Sequence, residues 1–181
     1  MIWLPFDLHP EYPPEGIPRA RLEARYGEGF SDHVARTIEA AGFDHRPPPR
    51  VPRSLRSLQL AELARDEGRH QAAHTRLFAA YWSQGRDIGD VDVLAAVAAD
   101  AGLDPDKARA VLEQGAFADR VRESTEAAHR VGVDAVPAWL VDRTHLVLGA
   151  QPHRVFAEVL EQLGHVPQDG DDEDGLGPAA M

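Results

Sequence analysis

The stretch Val136-Pro137-Ala138-Trp139-Leu140-Val141-Asp142 is followed closely by Leu146-Val147-Leu148-Gly149-Ala150-Gln151-Pro152. The first stretch predicts a loop with a proline and then a buried strand, and Arg143-Thr144 predicts a tight turn into a second strand. Pro152 predicts the start of a last helix, because proline is favoured at the first helical position. The residues that predict the apolar face of that helix are Val155, Phe156, Val159, Leu160 and Leu163. The chain therefore ends its folded part as a hairpin and a helix.

The preceding segment, residues 54–131, has an almost wholly helical pattern of apolar residues. Ser54 is the expected N-cap of its first helix, and Asp90 and Asp104 are expected to cap two later ones. Five short, capped helices of this kind predict a compact all-helical subdomain.

The first 53 residues predict a mixture of short elements. Residues 2–8 are expected to form a short strand, followed by a proline-rich loop up to Pro18. Residues 19–41 have a helical spacing that is broken near Gly27 and Gly29, which predicts two helices. Residues 43–46 are expected to form a brief strand, and Pro47-Pro48-Pro49 an extended connection.

The segment of residues 132–156 resembles the C-terminal half of DsbA-family thioredoxin-fold proteins. The nearest branch is that of the FrnE-type oxidoreductases, which are related to 2-hydroxychromene-2-carboxylate isomerases and kappa-class glutathione transferases. The order and spacing of the matching pieces support the resemblance up to about Leu163. The other matches are Trp3, Pro5-Phe6, Leu8, Pro13-Pro14-Glu15-Gly16, Gly85-Arg86-Asp87-Ile88, Val93-Leu94 and Gly102-Leu103-Asp104. The resemblance implies an α/β, thioredoxin-like fold of the DsbA type with an inserted all-helical subdomain.

Proteins of that family begin with a strand, a Cys-Pro-x-Cys-type motif and a helix, which are expected to be missing here. Loss of a central strand exposes the edges of its neighbours. Three explanations stay open: the start codon is misassigned, another chain supplies the missing segment, or two copies of the chain pair to complete the sheet. Because a central strand is expected to be missing, a homo-oligomer is expected. The family also usually has Asn at the position of Arg53 and His at that of Leu58, which indicates a divergent site.

Two loops are candidate binding sites on the basis of the resemblance. In thioredoxin folds the peptide bond that matches Val136-Pro137 is cis, and the backbone of the preceding residue pairs with an extended peptide or with glutathione. Ala150-Gln151 opens the last helix, where glutathione-using relatives place the γ-glutamyl end of the tripeptide. The alternatives are a loop that only shapes the hairpin and an ordinary helix start.

Two clusters in the helical segment have structural and functional interpretations. Tyr81 and Trp82, with Phe78, are expected in the subdomain core, although they could instead wall a small-molecule cleft between the helical block and the sheet. His70 and His74 have a spacing that suits a metal, but no third ligand is evident and a solvated helix face is expected.

The composition excludes several chemistries. The 181 residues contain no cysteine, which excludes a disulfide, a thiolate metal site and a cysteine nucleophile within them. The formal net charge of −11 opposes binding to nucleic acid and to anionic membranes. The N-terminus lacks the pattern of a signal peptide, so a cytoplasmic location is expected.

Four segments are predicted: 1–53, the N-terminal part of the thioredoxin-like domain; 54–131, the helical insertion; 132–164, the C-terminal part; and 165–181, a disordered acidic tail. The expected function is that of a disulfide oxidoreductase homologue that is redox-inactive because it has no cysteine. The alternatives are a binding module for an extended peptide or a glutathione-like thiol, and a cysteine-free isomerase or transferase. No resident cofactor or metal is expected, and glutathione is a possible ligand.

Overall fold

The structure is a computed structural model that describes residues 1–40 and 42–165. The predicted acidic tail lies, apart from His165, outside the described residues. The chain is mostly helical and divides into two compact units, residues 1–125 and the residues from 126 onwards. The predicted segment boundaries at 53 and 131 stay predictions.

The first unit contains two short strands, six helices and one π-helical turn among its described residues. In chain order they are β1 (Ile17–Pro18), α1 (Arg21–Tyr26), α2 (Phe30–Ala40), β2 (Arg50–Val51), α3 (Leu55–Asp66), α4 (His70–Phe78), the π-helical turn (Ala79–Ser83), α5 (Val91–Asp100) and α6 (Pro105–Gln114). The boundary between the two units falls within α7 (Ala118–Arg130).

The second unit holds the predicted hairpin and last helix. They are β3 (Ala138–Val141), β4 (His145–Leu148) and α8 (His153–Gln162). None of the helices among the described residues is both long enough and apolar enough to cross a lipid bilayer.

The apolar core of the first unit is built by α3 to α6 and the π-helical turn, all of which lie within the segment predicted to be a helical subdomain. Leu60, Leu94 and Val97 are almost completely buried. Two of the predicted caps are confirmed, because the carboxylates of Asp90 and Asp104 each accept two backbone N–H groups of the helix that follows. The start of α5 and the start of α6 are thus each fixed by an aspartate next to the helix in the sequence.

Ser54 occupies the N-cap position of α3, as predicted, but its side chain does not cap the helix. Its side chain makes no bond to the first turn of α3, and its hydroxyl instead donates to the Asp7 carboxylate at 3.1 Å. Ser54 also has helical backbone angles, whereas an N-cap residue is typically extended.

The predicted strand over residues 2–8 is also not formed. The backbone of this segment is bonded to side chains: the Trp3 carbonyl accepts from Arg65, and the Asp7 amide donates to Oγ1 of Thr125 at 2.9 Å. The predicted brief strand over residues 43–46 is absent as well, since the Arg46 amide donates to the Trp82 carbonyl. Both segments find hydrogen-bond partners other than a neighbouring strand.

The strands of the first unit lie instead in the proline-rich segments. Ile17 pairs with Val51 and Pro18 with Arg50 in an antiparallel ladder. Gly16 precedes β1 with a positive φ of 69°, and a Cβ atom there would collide with the Val51 carbonyl oxygen. Only glycine fits this close approach of two backbones.

Candidate functional site

The loop that precedes β3 has a fixed geometry at Pro137. The Val136–Pro137 peptide bond is cis, and the Pro137 carbonyl accepts a hydrogen bond of 2.8 Å from the Gly149 amide. This bond extends the ladder of the hairpin by one step beyond the pair Ala138 and Leu148. Pro137 is therefore held at the end of the sheet.

The hairpin is closed at its other end by a short turn. Asp142 and Arg143 have positive φ angles of 49° and 60°, and the Thr144 amide donates to the Val141 carbonyl at 3.1 Å. Aspartate tolerates this left-handed conformation better than most residues. The predicted hairpin is confirmed, with a turn of three residues between the paired Val141 and His145.

Val136 has a free backbone. The residue is 51% exposed, and neither its N–H nor its C=O makes a hydrogen bond within the described part of the chain. The sheet that starts one residue later has only the strands β3 and β4 among the described residues. An exposed strand edge with free backbone groups can pair with another extended chain.

Ala150 and Gln151 lie between β4 and α8, and both are exposed. Nε2 of Gln151 donates to the Leu148 carbonyl at 2.8 Å, so the side chain folds back on the hairpin. The prediction that Pro152 occupies the first helical position is wrong: Pro152 is the N-cap, with an extended ψ of 150°, and α8 begins at His153. Among the described residues, no group distinguishes this helix start from an ordinary one.

The last helix is attached to the hairpin by aromatic packing. The Trp139 and Phe156 rings meet edge to face with their centroids 5.5 Å apart. Pairs of this geometry contribute about 1 kcal/mol beyond the buried area. Val136 lies two residues before β3 and Gln151 two residues before α8, the strand and the helix that this contact joins.

The two histidines with metal-ligand spacing are stacked. The rings of His70 and His74 lie 5.8 Å apart, and burial lowers the pKa of both side chains. Within residues 1–40 and 42–165, no group of three His, Cys, Asp or Glu residues could hold a metal ion. Glu126 and His129, one turn apart on α7, are both exposed, and His129 Nδ1 bonds to the Val133 carbonyl at 2.9 Å.

The prediction that Tyr81, Trp82 and Phe78 belong to the subdomain core is wrong, because none of them is part of the apolar core built by α3 to α6. Phe78 is 43% exposed, whereas Tyr81 and Trp82 line a cleft of about 210 Å³ in the first unit. Tyr12 and His45 also line it, and the sequence did not indicate them because they come from separate loops.

Arg53, which stands where the family usually has Asn, has a buried Nε without a hydrogen-bond partner among the described residues. Such an atom is uncommon in a folded protein. Leu58, at the position of the family's histidine, is half-buried on α3 and offers no polar group.

Comparison with known proteins identifies the family. A family profile described as DSBA-like thioredoxin domain matches residues 1–161. The crystal structure of a probable DsbA oxidoreductase from Streptomyces coelicolor, SCO1869, superposes with a TM-score of 0.79 at 30% identity, covering 96% of this chain and 80% of that one.

Two relatives support this assignment. The protein YwbO of Bacillus subtilis (strain 168) is 25% identical over 161 residues, which are 87% of this chain and 79% of YwbO. Human glutathione S-transferase kappa 1 is 29% identical over 105 residues, 54% of this chain and 46% of that protein. The fold is thus a DsbA-like thioredoxin fold with a helical insertion and few strands, and the chain belongs to the DSBA-like thioredoxin domain family.

Proposed function

We propose that this protein is a redox-inactive binding module that holds an extended peptide, or a small peptide-like thiol such as glutathione, against the backbone of Val136. The observation that carries the proposal is that Val136 is 51% exposed and that its N–H and C=O make no hydrogen bond within the described residues. Pairing of these groups with an extended ligand would add a short strand beside the hairpin.

The geometry around Val136 suits this role. Pro137 is fixed by its bond to Gly149, and β3 follows at once. A ligand backbone therefore meets groups that are already ordered, which lowers the entropic cost of binding. Gln151 acts in this proposal as a positioning residue, because its side chain is bonded to the Leu148 carbonyl.

The lack of a cysteine thiol in these residues supports the proposed redox inactivity. Thiol–disulfide exchange begins with attack of a thiolate on a disulfide sulfur, and the 181 residues contain no cysteine. We assign the chain to the FrnE branch of the family on the Pro13-Pro14-Glu15-Gly16 and Gly85-Arg86-Asp87-Ile88 segments.

Binding is tested by titration calorimetry with reduced glutathione and with a cysteine-free hexapeptide of valine and threonine. The informative variants are Val136→Pro, which removes the N–H, and Val136→Ala, which shortens the side chain and keeps the N–H. Loss of one hydrogen bond should weaken binding about fivefold in Val136→Pro, with Val136→Ala close to the unchanged protein. Equal losses in both variants would contradict backbone recognition. If glutathione binds and the hexapeptide does not, the ligand class is the small peptide-like thiol and not the extended peptide.

A second candidate function is oxidoreductase activity with a thiolate from another molecule, and it is favoured by the similarity to a probable DsbA oxidoreductase. The test is an insulin disulfide-reduction assay with the protein alone and with added glutathione. The binding-module proposal predicts no rate above that of glutathione alone. A protein-dependent increase in the presence of glutathione would favour the second candidate.

We also propose that the 181-residue chain self-associates. Leu140 on β3 and Leu160 on α8 are 50% and 43% exposed, and both strands of the hairpin lack a further partner strand among the described residues. Light scattering during size exclusion should give a mass above the 19.8 kDa of one chain. The measurement is made at a chain concentration of about 100 μM, at which a weak dimer would be populated. A mass of 19.8 kDa at that concentration would contradict self-association.

A further inference from the structure

The hydrogen-bond pattern of the hairpin shows which backbone groups of β3 face outwards. The Pro137 and Val141 carbonyls accept the amides of the residues that follow and precede β4, so both face β4. Hydrogen-bonded and non-hydrogen-bonded pairs alternate along an antiparallel ladder. The N–H and C=O groups of Ala138 and Leu140 therefore point away from β4, to the outer edge of β3.

This outer edge continues the Val136 site. Within the described residues, neither Ala138 nor Leu140 makes a backbone hydrogen bond to a group outside the hairpin, and the backbone of Val136 makes none at all. The three residues thus offer donors and acceptors in a row. The row from 136 to 140 is about 13 Å long at the usual rise of a strand, which an extended chain of five residues matches.

The two faces of the hairpin differ in what covers them. Trp139 packs edge to face on Phe156 of α8. Leu140 and Leu148 lie on the opposite face, because alternate residues of a strand and paired residues of two strands share a face. They are 50% and 36% exposed. A strand added beside β3 would place every second side chain next to this apolar face, which favours apolar residues at alternate positions.

Carboxylates stand near both ends of the outer edge. Asp134 precedes Val136 by two residues, and Asp142 follows Leu140 by two. Both are exposed, and neither side chain has an ion pair or hydrogen bond within the described residues. Arg143 follows Asp142 in the turn and offsets its charge, so the uncompensated charge is that of Asp134. With the net charge of −11, this end of the edge attracts a cationic ligand.

The same charges disfavour β3 of a second copy as the occupant of this edge. Antiparallel pairing of Ala138 with Ala138 would align Val136 of each copy with Leu140 of the other. It would also bring Asp134 opposite Asp142 on both sides, and like charges directly opposite each other are destabilising. The outer edge of β4 and the exposed Leu160 carry no such restriction.

We infer that the ligand of the Val136 site is an extended, basic segment of another protein that pairs along the whole outer edge of β3. This inference rests on the proposed function. The segment has at least five residues, with apolar side chains at alternate positions and Lys or Arg at its ends. Glutathione, a tripeptide with a γ-linkage, is too short to pair with Leu140 as well as Val136.

The ligand class is tested by titration calorimetry of the full chain with three capped peptides. They are Lys-Val-Thr-Val-Thr-Lys, Glu-Val-Thr-Val-Thr-Glu and the tripeptide Lys-Val-Lys. The basic hexapeptide should bind about fivefold more tightly than the acidic one and about tenfold more tightly than the tripeptide, which makes fewer hydrogen bonds. Equal or tighter binding of the acidic hexapeptide would overturn the basic class. Equal binding of the tripeptide would overturn pairing along the edge.

Pairing at Leu140 is tested with Leu140→Pro, which removes the outward N–H, and its matched control Leu140→Ala, which keeps it. Proline is tolerated where a strand's N–H faces outwards. Leu140→Pro should bind the basic hexapeptide about fivefold more weakly than Leu140→Ala, and equal affinities would overturn the pairing. Thermal unfolding shows whether both variants fold.

Modified peptides give the same comparison without changing the protein. One basic hexapeptide is N-methylated at its valines and another at its threonines. Only one of these two sets of amides can face β3, so the affinities of the two peptides should differ about fivefold or more. Equal affinities would overturn the pairing.

The role of Asp134 is tested with Asp134→Asn, which should reduce the preference for the basic hexapeptide about threefold. Asp106→Asn is the control, because it makes the same change of charge at an exposed position on α6. Equal effects of both variants would overturn a local attraction at Asp134.

Val136→Pro separates this inference from the proposed function. If Val136→Pro weakens peptide binding while Leu140→Pro and Leu140→Ala bind equally, the Val136 site stands and the extended edge is overturned. If no peptide binds, both are overturned.

Discussion

The backbone amide of Asp7 donates a hydrogen bond of 2.9 Å to Oγ1 of Thr125, a residue 118 positions further along the chain. Both residues are buried, Asp7 to 5% and Thr125 to 7% exposure. The same hydroxyl donates to the Val121 carbonyl at 2.9 Å. The Thr125 hydroxyl therefore accepts one hydrogen bond from the N-terminal segment and donates one within its own helix. The pair ties residues 2–8 to α7 without a strand.

Thr125→Val tests this tie. The substitution keeps the shape of the side chain and leaves the Asp7 amide buried without a partner. We expect the free energy of unfolding to fall by about 1–3 kcal/mol, measured by urea denaturation. The matched control is Thr37→Val, because Thr37 makes the same bond to the carbonyl four residues back at an exposed position. A loss in Thr125→Val no larger than in Thr37→Val would contradict the role of the Asp7 bond.

The caps of α5 and α6 give a second prediction. Asp90 accepts the amides of Asp92 and Val93 at 2.7 and 3.1 Å. Asp90→Ala should lower the free energy of unfolding by about 1 kcal/mol, because two amides lose their acceptor. Asp106→Ala, in the first turn of α6, removes an exposed carboxylate with no role as a cap and should change stability by less than about 0.5 kcal/mol. Similar losses in both variants would show that charge, and not the cap, stabilises these helix starts.

The stacked histidines of α4 predict a dependence of stability on pH. Burial lowers the pKa of His74 in the folded state below the ordinary value of a histidine, about 6.5, and its ring contacts Trp3 and Phe78. The unfolded state therefore binds more protons, and the free energy of unfolding falls as the pH drops below about 6.5. It stops falling through this group once the pH is below the folded-state pKa.

His74→Gln removes that titration. Urea denaturation between pH 7 and pH 5.5 should show a smaller loss of stability for His74→Gln than for the unchanged protein. His153→Gln is the control at an exposed position and should keep the full dependence. An unchanged slope in His74→Gln would mean that other groups cause the loss.

The sequence predicted the elements whose signals are local. Asp90 and the Asp104-Pro105 pair mark helix starts by themselves, and the break at Gly27 separates α1 from α2 as expected. The hairpin of β3 and β4 was also predicted, because its two apolar strands and its turn are neighbours in the chain.

The features that depend on distant partners could not be predicted in this way. Residues 2–8 have a strand-like sequence, but their backbone groups bond to Arg65 and Thr125. Ser54 precedes α3 as a capping residue does, but its hydroxyl donates to the carboxylate of Asp7, which lies far from it in the sequence. The cleft joins Tyr12 and Tyr81 from segments about 70 residues apart, and no spacing in the sequence indicates that contact. The family resemblance supplied the Val136 site, since its local sequence alone indicates only a turn.

The most direct test of the binding-module proposal is the hydrogen-exchange rate of the Val136 amide, measured by NMR with and without ligand. In the free protein this amide should exchange fast, because it is exposed and makes no hydrogen bond among the described residues. Glutathione or the cysteine-free peptide at ten times its dissociation constant should slow it about tenfold. The Thr144 amide, already bonded to Val141, should keep its rate. An unchanged Val136 rate under these conditions would contradict the account.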